Sequence, residues 1–102
     1  MKYQLVIQFP ENLDICLNRL IEIEDVFGEK LSHSEVDGHD IGAGQMNIFI
    51  FTNDPLVAFD QIKSILESYN GLFSEIKIAY RDVTDNKFLY LHPGELKKLE
   101  VI

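Results

Sequence analysis

An α+β sandwich of one sheet and two helices is predicted by three observations on this 102-residue chain. Tyr3, Leu5, Ile7 and Phe9 alternate with Gln4, Val6 and Gln8, the period of a strand. Two stretches, opening at Asn12 and at Asp54, carry apolar residues at three- and four-residue steps, the period of a buried helix face. Further period-two runs separated by Gly, Asn and Asp clusters fill the space between and after them. With 46% apolar residues, one core needs neither disulfides nor a structural metal, so residues 1–102 are expected to form one domain.

The elements follow in order. Pro10 ends the first strand, and Asn12 is placed to cap a helix whose apolar side is Leu13, Cys16, Leu17, Leu20 and Ile21, continued by Ile23 and Phe27. Gly28 fits a left-handed stop. Leu31 to Asp37 reads as a weak, polar edge strand with His33 and Glu35 on one face. Gly38 to Gly44 reads as a seven-residue glycine-rich connection to a strand over Met46 to Thr52, completing a hairpin. That strand points Ile48 and Ile50 one way and Phe49 and Phe51 the other, so it belongs at the centre of a sheet. Asp54 as cap and Pro55 at the first helical position open the second helix, with Ala58, Phe59, Ile62, Ile65, Leu66 and Tyr69 as its buried stripe and Asn70-Gly71 as its stop. Ile76, Ile78 and Tyr80 mark a fourth strand, and an apolar Phe88–Leu91 run begins a C-terminal extension, about 87–102.

The order β-α-β-β-α-β predicts a ferredoxin-like sandwich with sheet order 4-1-3-2 and both helices on one face. The opposite face then exposes Val6, Ala79 and one apolar pair of the third strand. Either the Phe88–Leu91 segment or a second copy of the chain, giving a homodimer, must cover it.

Charge and cysteine usage narrow the partners. Nine basic against seventeen acidic residues leave a formal charge of −8, which repels nucleic-acid phosphates and anionic lipid and favours a basic protein partner. The one cysteine, Cys16, makes neither an internal disulfide nor a thiolate zinc site, and on an apolar helix stripe it reads as a small hydrophobe. No apolar run is long enough for a membrane span and the first residues lack a secretory pattern, so a cytoplasmic protein is expected.

The chemistry-bearing residues gather around the glycine-rich hairpin. Asp37, His39 and Asp40 offer oxygen and nitrogen ligands to a divalent metal, although turn formation alone also accounts for these residue types. Gly38, Gly42 and Gly44 join two strands instead of opening a helix, and no Lys or Arg lies between Leu31 and Gln61, which excludes a phosphate cradle there. Ser32, His33 and Ser34 alternate across a strand and cannot form a nucleophile–base pair. His92 before Pro93 reads as a chain-end contact. No catalytic residue and no cofactor is assigned.

Families sharing this element order lack their motifs here. The arginine of acylphosphatases is replaced by Phe9-Pro10-Glu11-Asn12, the basic residue and glycine of RNA-recognition motifs by Gln45 and Met46, and the glycine turn of ACT-type domains and the cysteines of bacterial ferredoxins are absent. The Val36–Gly42 turn (VDGHDIG), the Met46–Phe51 strand and the Asp54-Pro55 helix start resemble a group of small, uncharacterised bacterial cytosolic proteins. By size and charge the chain is also similar to immunity proteins, which mask the basic surface of a toxin. The first resemblance implies a fold and a bacterial source but no activity. Strong acidity, polar groups gathered at one sheet end and the lack of a catalytic set lead to the expectation of a non-enzymatic protein-binding domain that contacts its partner through Asp37, His39 and Asp40 of the 37–44 loop and the neighbouring Glu35. The competing reading is a metal- or small-ligand-binding protein or enzyme with its site at the same loop.

Overall fold

The computed structural model describes residues 2–10, 17–32, 34–42, 45–69 and 72–92. Its elements are β1 (Tyr3–Pro10), α1 (Leu17–Lys30), β2 (Ser34–Gly42), β3 (Gln45–Thr52), α2 (Pro55–Glu67), a 3₁₀ turn (Leu72–Glu75), β4 (Lys77–Asp82) and β5 (Leu89–His92). All strand pairs are antiparallel, in the order β2-β3-β1-β4-β5. The expected four-stranded ferredoxin-like βαββαβ sandwich is therefore corrected. The sheet has five strands, because Leu89–His92 of the C-terminal segment pairs with β4 through Ile78↔His92, Ala79↔Tyr90 and Tyr80↔Leu89 and extends the sheet beyond it. The pairing satisfies backbone groups that an edge β4 would leave to water.

Alternation sorts the sheet into two layers of unequal thickness. Leu5, Ile7 and Phe9 of β1, Met46, Ile48 and Ile50 of β3 and Ile78 of β4 pack with Leu20, Ile23 and Phe27 of α1 and Ala58, Ile62 and Leu66 of α2. Both helices thus cover one face of the sheet, and the main core lies between them and it. On the other face Val6 and Ala79 are fully buried beneath Phe49, Phe88 and Tyr90. Of the two covers considered for that patch, the structure shows the C-terminal segment, with Phe88 and Tyr90 laid across it.

Local chemistry explains the element ends. Asp54 Oδ1 accepts from the amides of Leu56 and Val57, both at 3.2 Å, and Pro55 occupies the start of α2, where no donor is needed. Asp54→Ala is expected to lower stability by about 1 kcal/mol in urea denaturation, the usual cost of losing such a cap. Gly28 does not stop α1: the helix runs on to Lys30, and the Leu31 amide still reaches the Phe27 carbonyl at 3.0 Å. Burial of Leu31 against the core holds this last turn in place. Residues 11–16, with Asn12 and Cys16, and the Asn70-Gly71 stop lie outside the described residues, as do His33 and residues 93–102.

After β4, Asp82 Oδ1 accepts from the Thr84 amide at 2.9 Å and the Thr84 hydroxyl at 2.7 Å. These bonds, the amide first, hold the Asp82 carboxyl below the usual carboxylate range. Because the folded value lies below the unfolded one, the turn gains stability that is complete above pH about 4 and is lost as pH falls through the folded value. Asp82→Asn is accordingly expected to be less stable than wild type at neutral pH, and the gap should close below pH about 4 in denaturation curves taken across the acid range.

Candidate functional site

The hairpin that concentrates the sequence candidates is a continuous strand pair, not a long loop. β2 runs to Gly42, which pairs with Gln45, so only residues 43 and 44, outside the described residues, connect the strands. The expected seven-residue Gly38–Gly44 connection is corrected on this register.

One irregularity decides where the candidates point. Val36 pairs with Ile50 and Gly38 with Phe49, so Asp37 is an extra residue on β2, a bulge. Gly38 follows it at φ 139°, a conformation open to glycine and strained for residues with a side chain. A methyl group built on Gly38 meets nothing within 4 Å, so Gly38→Ala should cost only backbone strain, about 1–3 kcal/mol. Gly42→Ala, equally uncrowded and without positive φ, is the control expected to be near neutral in the same denaturation assay.

The bulge reverses the facing of every later residue. Glu35 lies opposite Phe51 and Asp40 opposite Asn47, on the helix-free face, whereas His39 lies opposite Ile48 and turns to the helix face. There the His39 Nδ1–H donates to both oxygens of Glu24 on α1, at 3.2 and 3.3 Å. Glu24, only 17% exposed along its side chain, is the partner that sequence reasoning missed. The glycine inside a strand pattern was its one available signal, because such a residue marks a bulge.

Glu35, Asp37, His39 and Asp40 are thus not one cluster. His39 ties β2 to α1, while Glu35 and Asp40 sit on the other side of the sheet. Among the described residues no three His, Cys, Asp or Glu side chains converge as a metal site. What the four share is their strand, and among the described residues β2 is an outer strand of the sheet, paired only with β3. Residues 17–42, which form α1 and β2, hold seven carboxylates against Arg19 and Lys30. All seven but Glu24 are exposed. The negative charge therefore collects on one flank of the molecule.

The helix-free face is laid out in cross-strand rows. Asp40, Asn47, Gln8 and Lys77 form one row, and Glu35, Phe51, Gln4 and Arg81 another, with Gly38, Phe49, Val6, Ala79 and Tyr90 between them. Carboxylates occupy the β2 end and cations the β4 end. Arg81 is engaged in the fold: Nε donates to Gln4 Oε1 at 2.9 Å, and Nη1 to the carbonyls of Asp85 at 2.9 Å and Val83 at 3.2 Å. His92 is a packing residue, stacked on Phe73 with ring centroids 4.0 Å apart and donating from Nε2 to the Phe73 carbonyl at 2.8 Å.

No helix among the described residues is long and apolar enough to cross a membrane. Comparison with protein-family models, curated proteins and solved structures finds no match to this chain.

Proposed function

We propose that the protein is a non-enzymatic binding domain that docks a basic protein partner along the outer edge of β2 and the adjoining flank of α1. The observation that carries this reading is the concentration of carboxylates on two neighbouring elements at an open sheet edge. A charged field of one sign steers an oppositely charged partner and selects against others. Neutralisation of a basic toxin in the cytoplasm is one concrete form of this activity. A homodimer across the helix-free face is another element of the proposal.

The test is capture from native cell extract by wild type, by Glu35→Lys/Asp40→Lys, and by an equally charge-reversed control on α2, Asp60→Lys/Glu67→Lys. A basic protein retained by wild type and the α2 control, released by salt and lost with the β2 variant, supports the docking surface. Identical retention by all three proteins refutes it. Sedimentation of the purified chain across concentration tests the dimer.

A further inference from the structure

A small polar cleft opens at the end of the sheet remote from the β4–β5 connection, lined by Gln8 and Pro10 of β1, Gln45 of β3, Glu75 of the 3₁₀ turn and Lys77 of β4, with a volume of about 120 Å³. Its floor is built. Gln8 is 3% exposed, and its Nε2 donates to Gln45 Oε1 at 2.9 Å, which orients the Gln45 amide. Two residues along β3 and beside Gln8 in register, Asn47 is 1% exposed and its Oδ1 accepts no hydrogen bond. A buried acceptor without a donor costs stability, but Asn47 stands beside Gln8 in register and not in the lining of the cleft.

The rim carries opposite charges that do not satisfy each other. Glu75 and Lys77 flank buried Ile76 and line the same cleft, yet neither makes an ion pair among the described residues. Lys77 and Gln45, both in the lining, carry donors suited to a carboxylate, and the Glu75 carboxylate suits an ammonium.

We propose that this cleft binds a small zwitterion of the α-amino acid class, its carboxylate held by Lys77 and Gln45 and its ammonium by Glu75. The size agrees: a cavity of about 150 Å³ accepts a six-membered ring of carbon atoms, so this one suits an amino acid with a short side chain. The site is separate from the acidic α1–β2 flank, and either assignment stands without the other.

The experiment is a titration of ¹⁵N-labelled protein with glycine, alanine and serine, following the side-chain amide resonances of Gln8 and Gln45. Acetate and methylammonium, each carrying one of the two charges, are the comparison ligands. Saturable shifts in the millimolar range are expected with the amino acids, and binding at least about tenfold weaker with either one-charge ligand. Lys77→Gln and Glu75→Gln should each weaken binding by about tenfold or more, the equivalent of one charged hydrogen bond, without changing the melting temperature, since both side chains are exposed and unpaired. The absence of a saturable shift with all three amino acids would overturn the proposal. So would shifts that both variants leave intact, or that acetate reproduces at equal affinity.

Discussion

Replacing Ile7 with alanine is expected to lower the free energy of unfolding by about 2–5 kcal/mol, the range for a cavity left by a large aliphatic side chain. Ile7 is fully buried on the central strand, and its register partners Ile48 and Ile78 flank it on the helix-covered face. Backbone ladders on both sides hold β1 in place, so the sheet cannot collapse into the void. Against a total stability of about 5–15 kcal/mol for a domain of this kind, such a loss unfolds a large share of molecules near physiological temperature. Urea denaturation with an unchanged slope is the measurement. Val6→Ala, on the thinner layer of Val6 and Ala79, should cost less. If the two variants lost equal stability, the division into a thick and a thin core layer would be wrong.

Arg81→Met is expected to produce the second largest effect, about 1.5–3 kcal/mol, as bonds from a charged group to Gln4 and two loop carbonyls are lost together. The guanidinium also lies 5.8 Å from the Phe88 ring centre, so its removal loosens a side chain that covers Val6 and Ala79. Amide exchange should accelerate across residues 83–90 while protection in α1 and α2 holds. Arg81→Lys should rescue little, since a point charge on a flexible stem cannot supply the planar fork that serves Gln4 and the loop at once. Uniformly faster exchange throughout the chain would instead make Arg81 a general core residue and sink the idea of a local clamp.

Much of the local structure was legible in the chain. β1, β3 and α2 were readable because period-two and three-to-four-residue spacing, a capping Asp54 and an initial Pro55 act through near neighbours. β5 was not: Leu89–His92 is four residues long with an irregular register, so its apolar character identified a cover for the sheet without revealing a ladder. The end of α1 was misplaced for a related reason. Gly28 permits a stop but does not impose one, and the burial of Leu31, three residues beyond the glycine, carries the helix on to Lys30.

The candidate residues were legible as types but not as a site. Composition alone determined that the chain is strongly acidic and that β2 is its polar strand. Only the tertiary structure decided that the bulge at Asp37 separates His39 from Glu35 and Asp40, because one extra residue exchanges the faces of everything after it. The pairing of His39 with Glu24, fifteen residues earlier, and the assembly of Gln8, Gln45, Glu75 and Lys77 around one cleft depend likewise on register and on helix placement. Local sequence sets which residues can form a strand or a helix. The relative shift of two strands, on which every cross-strand contact depends, is set by the packing of the whole sheet against its helices.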